Sequence, residues 1–299
     1  MLPIDPIPPV SVKQNQHYVP RFWLARFASA DGRVFGFSNG QARQVGVGNI
    51  MSEDWTYTIF DGWWRPDDAL ENALSVAEGT AGIVFNQIHA LSAAPTKDEW
   101  EFLGWFLALT ACRHPDVMSR GHNRSKELAW VLADVKSSPD RQTFNAELRR
   151  RFGFELPEEL FEALAAKSVE DLLNEGDEVE KLSPQDPRLP QQIAIEAAGQ
   201  VAVVIAGMNL ALLDAPSGQN FVLGDRAVPH KSLAAGFDVP LSAQLAFQAV
   251  PAGSGAAPFE RRRATVAEVE AINGRQFARH QDMMIGSDPA TLRAVAGLP

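Results

Sequence analysis

The stretch QNQHYVPRFWLARF, residues 14–27, is the starting point for predicting the fold and the site. Pro20 suits the first turn of a helix, where no backbone N–H is needed. Phe22 and Phe27 give that helix an apolar side. His17 then lies in the extended segment ahead of the helix, where its side chain can be aimed at a site. We therefore expect a polar site built around His17.

The composition indicates an ordinary globular protein. The chain has 299 residues, of which 45% are hydrophobic and 21% charged, enough to bury a large core. No apolar run is long enough for a membrane span, and residues 1–12 resemble an extended proline-rich arm without the pattern of a signal peptide. A single cysteine, Cys112, excludes an internal disulfide. We expect a cytoplasmic protein with no membrane partner.

The net charge of −10 argues against general nucleic-acid binding, because phosphate contacts need a basic surface. A local basic patch remains compatible with this charge. The chain also lacks a glycine-rich phosphate loop, a G-x-S-x-G elbow and an H-E-x-x-H pair. The common kinase, esterase and zinc-protease classes are therefore excluded.

Alternating residues and turn signals predict two small antiparallel sheets. The first covers residues 33–59, with Asn39-Gly40 as a turn. The second covers 209–250, in which we predict a hairpin between 209–213 and 220–223 and another strand pair within 237–249.

The longer apolar periodic segments predict helices. One runs from about residue 66 to 90, and a capping box formed by Thr96 and Glu99 opens the next, at 97–113. The segments 97–113 and 191–207 are apolar around most of their circumference, so both are predicted to be central. A final amphipathic helix is capped by Thr265. The predicted fold is a mainly helical α+β domain over 13–285, with a helical insert at about 116–180 and a C-terminal tail at 286–299.

The opening motif resembles that of a mostly bacterial family of unknown function, whose members begin with Gln-His-Tyr-Val-Pro-x-Phe-x-Leu-x-x-Phe. Residues 16–27 match this motif. Arg113-His114-Pro115 matches the Arg-x-Pro of the family, and Gly224-Asp225-Arg226-Ala227 partly matches its Ser-Asp-x-Pro. Glu71 and Glu78 and the helix that contains Asn273 are also similar to the family pattern. The resemblance covers nearly the whole chain and implies site residues without naming a reaction.

These matches identify five polar residues as a candidate site. His17, Arg113 and Asp225 are the candidate catalytic residues, and Glu71, Glu78 and Asp225 the candidate metal ligands. Together they would offer a histidine for proton transfer, an arginine for an anion and carboxylates for Mg²⁺ or Mn²⁺. The alternative is a buried polar network that joins the sheet to the helices. His114 is expected at the surface.

Two functions from different classes remain open. The first is a metal-dependent hydrolase of phosphodiester bonds, a nuclease-like effector of a microbial defence or toxin system that acts on nucleic acid or a nucleotide. The second is a non-enzymatic protein-interaction module whose polar centre only holds the fold.

Overall fold

The computed structural model describes residues 15–54, 56–60, 66–67, 69–90, 95–115, 117, 135, 138, 140–152, 155–168, 170–171, 189–229, 233–255 and 257–298. The chain divides into two compact units, one formed by 1–115 with 194–299 and the other by 116–193. The predicted arm at 1–12 lies outside the described residues.

The described elements are numbered in chain order. The strands are β1 (Asn15–His17), β2 (Val34–Ser38), β3 (Gln41–Val45), β4 (Ser52–Asp54), β5 (Ile59–Phe60), β6 (Pro66–Asp67), β7 (Met208–Asp214), β8 (Leu223–Gly224), β9 (Phe237–Pro240), β10 (Leu245–Pro251), β11 (Phe259–Arg263) and β12 (Met284–Gly286). The α-helices are α1 (Arg21–Leu24), α2 (Ala69–Ala90), α3 (Lys97–Cys112), α4 (Arg141–Phe152), α5 (Glu158–Ala166), α6 (Leu189–Ala206), α7 (Val266–Arg279) and α8 (Pro289–Val295). The predicted α+β class, helices with small antiparallel sheets, is confirmed.

The opening motif anchors the chain in the core. Strand β1 pairs antiparallel with β4, and Pro20 is the N-cap of α1. Trp23 and Phe27 have no exposed surface, and the Trp23 indole N–H donates to the carbonyl oxygen of Pro240 over 3.0 Å. The aromatic side of α1 therefore fixes the position of the short strand that carries His17.

Helices α2 and α3 pack against α1. The predicted capping box of Thr96 and Glu99 is present at the start of α3. Phe106 of α3 is 1% exposed, and its ring lies 6.0 Å from that of Phe85 in α2. The predicted central position of α3 is therefore confirmed.

Helix α6 contradicts the prediction that it is central. Ile195 is 48% exposed and Val203 is 74% exposed, whereas Ala198 and Ile205 are fully buried. One stripe of the helix is therefore covered and the opposite side faces solvent. The apolar composition misled the prediction because small and β-branched residues occupy both sides of this helix.

The larger sheet has the strand order β11-β7-β10-β9. The predicted strand pair within 237–249 is confirmed as β9 with β10. The pair β11 with β7 is parallel, and the other two pairs are antiparallel.

The predicted hairpin of 209–213 with 220–223 is wrong. Strand β7 is buried along most of its length and pairs with β10 and β11 instead. The backbone around Val222 is satisfied by a side chain of α7. Asn273 Oδ1 accepts from Val222 N over 3.0 Å, and Asn273 Nδ2 donates to Asn220 O over 2.9 Å. A buried amide thus supplies the hydrogen bonds that the hairpin partner would have made.

A second sheet has the order β3-β2-β12-β8. Its β2–β3 hairpin turns at Asn39-Gly40, and both residues have positive φ, of 50° and 76°, which suits these residue types. Strand β12 pairs with β2 and with β8 although it is far from both in sequence. Neither β11 nor β12 was predicted.

The unit at 116–193 contains α4 and α5. Phe144 and Leu148 are buried, and the ring of Phe144 lies 5.6 Å from that of Phe161. Asn145 donates to and accepts from the backbone of Leu156, which fixes the connection between the two helices. Among the described residues, no helix is both long and apolar enough to cross a membrane.

Candidate functional site: a pocket around His17

A polar pocket of about 470 Å³ lies where the opening motif meets α2. It is lined by Asn15, His17, Arg21, Gly48, Glu71, Ser75 and Glu78. Strand β1 and helix α1 supply one side. The three α2 residues recur at intervals of three and four, so they lie on one face of the helix. The fold therefore brings His17, Glu71 and Glu78 together as the sequence predicted.

His17 is held in a defined tautomer. Its Nε2 lies 3.1 Å from the carbonyl oxygen of Val47. Because a carbonyl oxygen can only accept, Nε2 carries the hydrogen, and Nδ1 of the neutral ring is left as an acceptor. Burial lowers the pKa of His17, and the positive charges of Arg21 and Arg113 lower it further, against the opposing effect of the Val47 hydrogen bond. His17 is therefore neutral near pH 7, the form that acts as a general base.

Arg21 places a cation at the same pocket. Its side chain is exposed, and a Cβ at Gly48 would lie 3.5 Å from its Nη2, so the guanidinium rests against this glycine. Within the described residues, no hydrogen bond or ion pair occupies the Arg21 guanidinium. It is therefore available to a ligand.

Arg113 is connected to the pocket by an ion pair with Glu78, which lines it. Arg113 Nη1 donates to Glu78 Oε1 over 2.8 Å, with the arginine side chain 2% exposed and the glutamate 25% exposed. Arg113 Nε donates to Tyr18 O over 3.1 Å, and the Tyr57 hydroxyl donates to Arg113 O. Arg113 is thus more than a cation at the end of α3, because its side chain fixes the Glu78 carboxylate from behind the pocket.

Asp225 does not line this pocket. Its carboxylate accepts hydrogen bonds from four backbone N–H groups, those of Arg226, Gln281, Asp282 and Met283. Among the described residues, no three His, Cys, Asp or Glu side chains form a group that could hold a metal ion. The structure therefore does not assemble the predicted metal set of Glu71, Glu78 and Asp225, because Asp225 is committed to closing the loop before β12.

Asp225 lies near a buried layer that contains Tyr18 and His114. Burial and the charge of Asp225 raise the pKa of Tyr18. The Tyr18 ring packs edge-on against His114, with ring centroids 4.8 Å apart. The expectation that His114 lies at the surface is wrong, since it is 7% exposed, and burial lowers its pKa to about 4.

The motif divides into structural and pocket residues. Gln16 is fully buried, and its amide donates to Thr58 Oγ1 over 2.6 Å and accepts from Tyr57 N. Of the motif, only His17 and Arg21 line the pocket. Sequence reasoning missed Arg21, although its position four residues after His17, at the start of a helix, was a usable signal.

The fold and the pocket define the class of protein as an α+β domain with a histidine-centred polar site. The chain belongs to the family described as "Protein of unknown function (DUF4238)", whose model matches residues 15–279. The resemblance to a family of unknown function is thereby confirmed. Comparison with curated proteins and with solved structures returns no match.

Proposed function

We propose that the pocket around His17 hydrolyses a phosphodiester bond. The observation that carries this proposal is the fixed tautomer of a neutral His17 in the same pocket as Arg21, a cation that has no partner among the described residues. Water attacks the phosphorus atom and Nδ1 of His17 takes its proton, while the Arg21 guanidinium binds a phosphate oxygen. The P–O bond to the leaving group breaks, and the leaving oxygen takes a proton from solvent or departs as the anion. Each of these two functions is supplied by a different residue of the opening motif.

The charges in the pocket support binding of an anion. Glu78 is paired with Arg113, and this buried cation offsets its negative charge. Arg21 adds a positive charge to the lining, and Glu71 adds the second carboxylate. Without Arg113 behind it, the pocket would carry a net negative charge and would repel phosphate.

The dimensions favour a small substrate. A cavity of about 470 Å³ is in the range of pockets that hold one drug-sized ligand. The net charge of −10 disfavours the binding of a duplex, which needs an extended basic surface. A nucleotide or the end of a single strand is therefore the substrate class that we propose.

The sequence also suggested Mg²⁺ or Mn²⁺. Because the predicted ligands do not form a three-residue set, no step of the proposed reaction uses a metal ion. Assays are nevertheless run both with Mn²⁺ and with a chelator, so that the metal dependence is measured directly.

The test uses bis(p-nitrophenyl) phosphate and the full chain. We expect release of nitrophenolate by the native protein and a loss of roughly 100-fold or more with His17→Gln, the usual range for a general base. Arg21→Gln should raise KM, since it removes phosphate binding. Arg43→Gln, an exposed arginine on β3, is the matched control and should leave both constants unchanged. Equal rates for the native protein and His17→Gln would overturn the proposal.

A second candidate is the interaction module. It is favoured by one observation: Gln16, Arg113 and Asp225 all serve internal hydrogen bonds, as expected of a polar core that holds a fold. This function predicts no turnover by the native protein under any of the assay conditions.

A further inference from the structure

A second pocket, of about 500 Å³, lies beside the edge strand β9 and helix α7. It shares no lining residue with the His17 pocket. Its charged lining residues are Asp238 of β9 and two arginines one helical turn apart, Arg275 and Arg279. These three side chains give the lining one net positive charge.

Within the described ranges, only one of the two carboxylate oxygens of Asp238 has hydrogen-bond donors. Arg275 Nε and Nη2 both lie 2.6 Å from Asp238 Oδ2. Oδ1 is buried and has no hydrogen-bond partner among the residues that the structure describes, and the side chain of Asp238 is 5% exposed. A buried carboxylate oxygen without a donor is costly, so this atom requires an O–H or N–H group from elsewhere.

Arg279 lacks good acceptors for its N–H groups among the described residues. Its Nη2 makes two long hydrogen bonds of 3.4 Å, to Ala227 O and Asp238 O. Its Nε is buried and has no partner within the described part of the chain. Among the described residues, Arg279 forms no ion pair with the Asp238 carboxylate. One unused acceptor and one unused donor therefore line the same pocket, on neighbouring side chains.

We propose that this pocket binds a hydrogen phosphate group, either as free phosphate or as a phosphate monoester. Arg275 and Arg279 donate to its ionised oxygens, and its remaining O–H donates to Asp238 Oδ1. Because Asp238 Oδ1 is buried, the half-exposed Arg275 side chain shifts as the ligand enters, and its guanidinium then contacts both Asp238 and the ligand. This site is separate from the proposed hydrolytic pocket and does not depend on it.

The carboxylate makes the site selective for a protonated anion. Sulfate is fully ionised and offers no donor, so it would meet the negative charge of Asp238 with nothing to offset the repulsion. A simple carboxylate ligand fails for the same reason. Phosphate alone among these anions carries acceptors and a donor together.

The experiment compares inorganic phosphate with sulfate at pH 6 and matched ionic strength, by calorimetry on the full chain. Both salts stabilise proteins nonspecifically, so the comparison isolates the site. We expect phosphate to bind roughly tenfold or more tighter than sulfate, the effect of one hydrogen bond to a charged group. A parallel titration with phenyl phosphate distinguishes a monoester ligand from free phosphate.

Variants test whether phosphate binds in this pocket. Arg279→Gln should abolish the phosphate binding that is selective over sulfate. Asp238→Asn should remove the preference over sulfate, because an amide can donate to either anion. Arg293→Gln, an exposed arginine of α8, and His17→Gln should both leave the preference unchanged. Equal affinity of the native protein for the two anions, or no binding of either, would contradict the proposal whatever the variants do.

Discussion

Arg113 Nη1 and Glu78 Oε1 are joined over 2.8 Å, although 35 residues separate them in the chain. This ion pair connects the end of α3 to the pocket face of α2. The arginine is buried, so it depends on the carboxylate for charge compensation. The pair therefore links the stability of the core to the charge of the pocket.

Replacing Glu78 by Gln should destabilise the protein. The substitution leaves Arg113 as a buried cation without a counter-charge, at a cost of roughly 2–3 kcal/mol in the free energy of unfolding. Denaturant unfolding measures this cost. Glu101→Gln is the control, because Glu101 forms only an exposed pair with Lys97 and should change stability by less than about 0.5 kcal/mol. Similar values for the two variants would refute the role of the pair.

The Asp225→Asn substitution should lower the stability of the folded protein. An amide cannot accept the four backbone hydrogen bonds that the carboxylate accepts, so we expect a loss of at least about 2 kcal/mol of stability. The neighbouring, exposed Asp282→Asn should have little effect. A catalytic role for Asp225 predicts the reverse, lost turnover at an unchanged melting temperature.

Much of the fold could be predicted from the sequence, because the patterns that determine it are local. The capping box at Thr96, the turn at Asn39-Gly40 and the amphipathic pattern of α2 each depend on residues within one or two turns of chain. Strands β8 and β12 could not be paired in this way. Their partners are set by long-range packing and by the Asn273 amide, which no local pattern reveals.

Only part of the site could be predicted from the sequence, again because sequence patterns report local structure. His17, Glu71 and Glu78 were predicted from motif and helical spacing, and the fold brings them together. Asp225 was misplaced because a polar residue after a strand has the same appearance whether it faces a ligand or its own backbone. Only the positions of the N–H groups of 281–283 decide between the two.

Glu268 should contribute stability that is lost in acid. Hydrogen bonds from Arg262 and the Thr265 backbone lower its pKa from 4.5 to about 2. Because the folded pKa is the lower one, the contribution is complete above pH 4.5 and disappears as the pH falls towards 2. Glu268→Gln should flatten the dependence of unfolding free energy on pH in this interval. Glu270→Gln, two residues further along α7 at an exposed position, is the control for the loss of one carboxylate.

The tautomer of His17 is open to direct observation. In ¹⁵N-detected NMR of the folded protein, we expect the Nε2–H form and a pKa below 6.5, for which burial is the main cause. Arg21→Gln should raise this pKa, since it removes a nearby cation, while Arg43→Gln should not. An Nδ1–H ring would show that Val47 does not fix the imidazole, and a pKa above 6.5 would show that burial and the nearby arginines do not control its protonation.

The pH dependence of phosphodiester hydrolysis tests the central claim most directly. The neutral form of His17 is the base, so kcat should rise with pH through the lowered pKa of His17 and level off above it. In Arg21→Gln the rising limb should move to higher pH, in step with the pKa measured by NMR, and in Arg43→Gln it should stay in place. Hydrolysis that is absent in the native protein, or whose pH profile is the same in His17→Gln, would contradict the assignment of His17 as the general base.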